Sequence, residues 1–118
     1  MAEPKIVYYP NGNKKEECYW DLNELHREDG PAVMLWYDDG KIQSIQYLQN
    51  DMWHRTDGPA NICFEENGNI YREGYYLNGE EYSDLASPLI RNLGLGNPME
   101  WTDGEKDMFA LHLVARIK

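Results

Sequence analysis

The residues with the most chemistry in them come as a repeated set. His26-Arg27-Glu28-Asp29-Gly30-Pro31-Ala32 returns 28 residues later as His54-Arg55-Thr56-Asp57-Gly58-Pro59-Ala60, with six of seven positions unchanged. An imidazole and a carboxylate this close can share a metal or relay a proton, which makes His26, Asp29, His54 and Asp57 the candidate ligands of a small metal-dependent hydrolase. The same segment also reads as a turn. Aspartate before Gly-Pro accepts nearby backbone N–H groups, and an arginine two positions earlier can pair with it. Because the set returns intact where the turn returns, the structural reading leads and no catalytic, metal or cofactor site is expected here.

Carboxylates are the second chemical theme. The chain has 21 acidic against 11 basic side chains, a formal charge of −10. Residues 1–83 hold 16 acids and 7 bases (−9), whereas 84–118 hold 5 and 4 (−1), so the charge belongs to the first segment. Such a surface repels phosphate backbones and anionic membranes and attracts basic partners, so direct binding to nucleic acid or membrane is not expected. Doublets recur at Glu16-Glu17, Glu28-Asp29, Asp38-Asp39, Glu65-Glu66 and Glu80-Glu81.

Other chemistry finds little support. Gly94-Leu95-Gly96 is too short for a dinucleotide loop, and no lysine-bearing phosphate motif is present. Cys18 and Cys63 stand far apart and read as reduced, mostly buried thiols. His112 is isolated. No stretch has the roughly 18 apolar residues of a membrane span, and Met1-Ala2-Glu3-Pro4-Lys5 lacks the features of a signal peptide, so a cytoplasmic protein is expected.

The positioning elements follow from the same period. Asn11-Gly12, Asp39-Gly40 and Asn67-Gly68 share the 28-residue interval, as do Tyr19, Tyr47 and Tyr75. Asn-Gly or Asp-Gly between β-rich runs predicts hairpins turning through type I′ geometry, with Asn50-Asp51 and Asn78-Gly79 as a second set of turns. The expected fold is mainly β: an antiparallel hairpin-repeat meander of three 28-residue units over residues 4–83. Alternation puts Ala32, Met34 and Trp36, with Ala60, Ile62, Phe64 and Pro4, Ile6, Tyr8, on the core face. Residues 84–118 form a helical cap. Its short first helix opens at Ser87-Pro88 and ends near Gly94; a longer one spans about Asp103 to Arg116, with a Thr102/Glu105 capping box and an apolar stripe of Met108, Phe109, Leu111, Val114 and Ile117.

The two heptapeptides, with Glu73-Gly74-Tyr75-Tyr76-Leu77-Asn78-Gly79, resemble the MORN-like proteins that carry His-Arg-x-Asp-Gly-Pro-Ala units in bacteriophages, giant viruses and some bacterial antitoxin-like families. The resemblance covers residues 4–83. It implies a non-enzymatic β-meander used for protein contacts, from a viral or phage source, and brings no catalytic residue with it.

Together these readings point to an acidic protein-binding module. Asp38, Asp39, Glu65 and Glu66 at successive hairpin tips, with Tyr37 and Trp53, are the expected contacts. The expected partner is a host protein with a basic surface, such as a nucleic-acid-handling defence enzyme inhibited by a phage-encoded mimic. The alternative is an assembly protein that forms homo-oligomers through a sheet edge or the tail helix.

Overall fold

The computed structural model describes residues 3–117; Met1, Ala2 and Lys118 lie outside it. Strands β1 (Glu3–Tyr8), β2 (Lys14–Asp21) and the short β3 (Glu24–Leu25) are followed by β4 (Val33–Trp36), β5 (Ile42–Gln46), β6 (Leu48–Gln49) and β7 (Met52–Trp53). Then come β8 (Asn61–Phe64), β9 (Ile70–Gly74), β10 (Tyr76–Leu77) and β11 (Glu80–Glu81). The chain is mainly β, and its sheets are antiparallel. The main sheet runs β1-β2-β4-β5-β8-β9 in chain order, β3 folds back on β2, and β6–β7 and β10–β11 are small separate hairpins.

Two kinds of turn alternate. At the tips, Tyr9–Asn13, Tyr37–Lys41 and Glu65–Asn69, the first residue's N–H bonds to the fifth residue's carbonyl at 2.7–2.8 Å. Only Gly12, Gly40 and Gly68 have positive φ there (92°, 94° and 91°). This is a type I turn followed by a left-handed glycine, not the type I′ turn expected of Asn11-Gly12, Asp39-Gly40 and Asn67-Gly68. The cause is local: Asn11, Asp39 and Asn67 each accept the N–H two residues on, at 2.9 Å, which holds them in ordinary right-handed backbone. Positive φ at both central residues occurs instead at the opposite ends of the strands. There Leu22-Asn23 (51°, 68°), Asn50-Asp51 (52°, 64°) and Asn78-Gly79 (49°, 83°) turn the short corner hairpins.

Those corners correct the expected core face. Ala60, Ile62 and Phe64 are buried as anticipated, and so is Ala32. In β4, however, Val33 is buried and Leu35 packs with it, while Met34 and Trp36 are only partly buried and lie outside that cluster. The corner segments deliver Leu25, Leu48 and Trp53 to Cys18, Val33 and Leu35, covering the face that alternation alone assigns to solvent. Pro4 and Tyr8 are exposed because β1 is the sheet edge.

Helix α1 (Ser83–Asn92) starts four residues before the expected Ser87-Pro88. Tyr82 N–H bonds the Tyr75 carbonyl, and Ser83 Oγ accepts from Tyr75 N–H and donates to Glu81, so the last corner passes straight into the helix. Pro88 sits on an exposed turn, where the carbonyl it leaves without a helical partner can be hydrated. Gly94 ends the helix with φ 69°, its N–H bonded to Arg91 O while Leu95 N–H reaches Ile90 O.

Helix α2 (Asp103–Ile117) begins in the expected capping box: Thr102 N–H donates to Glu105 Oε1 at 2.9 Å, and Glu105 N–H to Thr102 Oγ1 at 3.1 Å. Its buried stripe is narrower than expected. Phe109 and Leu113, four residues apart, are buried, whereas Leu111, about 200° around the helix from Phe109, is 71% exposed and Met108 is also exposed. The Ile117 side chain lies outside the described residues. The stripe packs inward with Tyr75, Ala86, Leu89, Leu95 and Trp101, joining the helices to the end of the sheet. No helix among the described residues is long and apolar enough to cross a membrane.

Candidate functional site: the hairpin tips and the loops that align them

The His-Arg-x-Asp loops fasten one hairpin to the next. His26 Nδ1 accepts the Asn50 N–H at 3.1 Å, and His54 Nδ1 accepts the Asn78 N–H at 3.0 Å. Arg27 lies over the Tyr19 ring and Arg55 over the Tyr47 ring, both at 4.0 Å. Each guanidinium also donates through Nε to the loop aspartate (3.0 Å to Asp29, 2.8 Å to Asp57) and through Nη1 to the proline carbonyl (3.2 Å to Pro31, 3.1 Å to Pro59). The loop glycine is explained by this packing: a Cβ at Gly30 or Gly58 would stand 3.0 or 2.8 Å from the arginine Cζ. Among the described residues no three His, Cys, Asp or Glu side chains come together in a metal-holding group. Of the residues considered as ligands, His26 and His54 each hold a backbone amide, and Asp29 and Asp57 each hold the neighbouring arginine.

Burial pushes the His54 imidazole below its ordinary value near 6.5. Because the folded value is depressed, the neutral ring's contribution is fully present above about 6.5 and is lost as pH falls through the lowered folded value. Between pH 7.5 and 5, His54→Asn should therefore lose less stability than the parent chain in urea titrations. Equal losses would remove His54 from the acid response.

With the hairpins fixed in this way, their tips form a row. Tyr9 Oη donates to the Trp36 carbonyl and Tyr37 Oη to the Phe64 carbonyl, both at 2.7 Å. Asn11 and Asn13 Nδ2 both reach the Asp38 carbonyl, at 2.8 and 2.9 Å. Asp38, Asp39, Glu65 and Glu66 are exposed on adjacent tips. The four ion pairs among the described residues engage Glu17, Glu28, Asp29 and Asp57, and none of the tip carboxylates. Asp39 uses one oxygen on the Lys41 N–H.

The other two expected contacts stand apart from that charge. Tyr37 is half-buried and its hydroxyl is the tether between the second and third tips. Trp53 lies at the corner end of the strands, bonded through Nε1 to Gln46 Oε1 at 3.1 Å and packed edge-on to Tyr76 with ring centroids 4.8 Å apart. The structure thus brings together Tyr37 and the four carboxylates but not Trp53. The tyrosine tether is not among the sequence expectations, although its signal is there: Tyr9 and Tyr37 stand 28 residues apart, and Glu65 takes the next place, where among the described residues helices follow instead of a further such hairpin.

A polar groove of about 400 Å³ runs between the two loops, lined by Arg27, Arg55, His54, Tyr47 and Lys106 among others. Its arginines are already committed to Asp29 and Asp57. Compared with known proteins, the chain matches no family model, no curated protein and no solved structure.

Proposed function

We propose that this chain is a non-enzymatic protein-binding module: three 28-residue hairpin units in a MORN-like meander, presenting a row of carboxylates to a basic surface on another protein. The observation that carries the reading is the alignment of Asp38, Asp39, Glu65 and Glu66 on adjacent tips tethered by Tyr37, with no ion pair to any of them among the described residues. Two strand spacings of about 4.8 Å separate successive tips. That is close to the Debye length of about 8 Å at physiological salt, so a facing basic patch meets the two tips partly as one charge. The natural occupant of such a patch is a phosphate backbone, and the module would displace it. The resemblance to phage His-Arg-x-Asp-Gly-Pro-Ala proteins makes a cytoplasmic nucleic-acid-handling defence enzyme of a bacterial host the first partner class to test.

The test is recovery of partners from nuclease-treated bacterial lysate with the parent chain and with Asp38→Lys, Asp39→Lys, Glu65→Lys and Glu66→Lys combined. The tips are exposed, so the fold should survive, and far-ultraviolet circular dichroism checks this. A basic nucleic-acid-binding protein held by the parent chain should bind the variant at least about tenfold more weakly, a loss of about 1.4 kcal/mol. The parent complex should also weaken as salt rises. Equal affinity of the two chains would end the carboxylate-row reading.

A further inference from the structure

Two hairpin-to-hairpin joints lie inside the chain, and both use the same three bonds. A tip tyrosine hydroxyl donates to a strand-end carbonyl, Tyr9 to Trp36 and Tyr37 to Phe64. A loop histidine accepts a corner amide, His26 from Asn50 and His54 from Asn78. The next arginine's N–H donates to a short-strand carbonyl, Arg27 to Leu48 and Arg55 to Tyr76. Twenty-eight residues before Trp36, Asn50 and Leu48 stand Tyr8, Leu22 and Trp20. These residues hold the matching places of a third such joint, the Tyr8 and Trp20 carbonyls as acceptors and the Leu22 N–H as donor, and among the described residues no tyrosine hydroxyl, histidine or arginine reaches them.

Side-chain exposure points to the same face independently. Tyr8 is 56%, Trp20 43% and Leu22 89% exposed, whereas Phe64 and Leu48, at the Tyr8 and Trp20 positions of later units, are 6% and 5% exposed. Leu22 also holds φ 51°, an unfavourable backbone for a branched apolar residue, on the first corner turn. Beside this face β1 is the unpaired edge of the main sheet. Three of the chain's six lysines, Lys5, Lys14 and Lys15, belong to the first hairpin and nearly balance its four acids, Glu3, Glu16, Glu17 and Asp21, so this hairpin carries little of the chain's charge of −10.

A second copy of this chain cannot supply the missing half. Its tyrosine hydroxyls already donate and its loop histidines already accept within the chain, and at its far end Glu65 and Tyr82 replace the tyrosine and histidine a further joint would need. Helices α1 and α2 close that end. We infer that the β1 edge and the Leu22-Asn23 corner together accept a β-hairpin of the same repeat chemistry from a partner chain. That hairpin carries a tip tyrosine, an acidic doublet and a His-Arg loop, and it adds to the sheet as the next strand. The inference rests on the two observed joints and not on the tip carboxylates.

The test tethers a probe, a second copy of residues 36–55 of this chain, through a flexible linker to the N-terminus of the full chain, so that its effective concentration is about millimolar. Docking should raise Tm by roughly 5 °C or more and slow hydrogen exchange at the Ile6 and Leu22 amides at least about tenfold, the response expected when a fraying edge becomes internal. Both effects should vanish when the probe carries Tyr37→Phe and His54→Ala. An unchanged or lowered Tm, unchanged exchange, or a gain that survives the double substitution would each overturn the inference. Reversing the tip charges in the host chain leaves these readouts in place, so failure of the carboxylate-row reading is seen separately.

Discussion

Phe109→Ala should lower the unfolding free energy by about 3–5 kcal/mol, the cost of removing a fully buried aromatic ring whose surroundings cannot collapse into the space. The ring has no exposure, and it meets Tyr75 at 5.7 Å and Trp101 at 4.9 Å between centroids. Tyr75 follows the last long strand and Trp101 precedes α2, so one side chain joins sheet, connection and helix. Against a total stability of roughly 5–15 kcal/mol for a domain of this kind, the loss would be large. Leu111→Ala is the matched control, since that side chain is mostly in solvent and its truncation should cost less than about 0.5 kcal/mol. Urea titration followed by tryptophan fluorescence reads both. If the two variants unfolded at the same urea concentration, the helical cap would not be packed on the sheet.

The contrast between Phe109 and Leu111 also shows what could be read from the sequence. A list of apolar residues with helical spacing located α2, and the Thr102/Glu105 pair located its start, because capping is a local matter of side chain and backbone. Which apolar residues face inward depends on where the sheet ends, and that is a tertiary fact. The same limit applies to β4. Alternation identified two faces but could not choose between them, since the choice is made by Leu48 and Trp53 arriving from the next corner. The start of α1 differs from the sequence expectation for another reason: Ser87-Pro88 is a good opening signal, but Tyr82 already closes the corner and the helix follows at once.

For the candidate site, the 28-residue period placed the four carboxylates at successive turns, and those turns are where they stand. The period could not reveal that Tyr37 holds two tips together or that Trp53 serves the opposite end, because a repeat fixes equivalence between positions and says nothing about which end of a strand a position occupies. Where the period breaks, it is informative in another way. Glu65 follows Tyr9 and Tyr37, and Tyr82 follows His26 and His54; at both places the residue that would grip a following hairpin is replaced, and the helices begin.

Arg55→Ala should cost about 2–3 kcal/mol, and Arg27→Ala about 1 kcal/mol, although the two arginines make the same set of contacts. The difference comes from solvent. The Arg55 side chain is 12% exposed and that of Arg27 24%, and Asp57 is also more sheltered than Asp29. When Arg55 is removed, the carbonyl of the buried Pro59 loses its donor, Asp57 loses its counter-charge, and the Tyr47 ring loses the cation lying 4.0 Å from its centre. At Arg27, water can replace more of what is lost. Arg55→Lys should recover little, because an ammonium cannot serve a carboxylate, a carbonyl and a ring face with the fixed planar fork of a guanidinium. Gly58→Ala should approach the same deficit by another route, since its Cβ would press on a guanidinium with no freedom to retreat. Urea titrations of the four variants separate the explanations: equal costs at the two arginines, or full rescue by lysine, would mean that these loops are held by backbone turns alone.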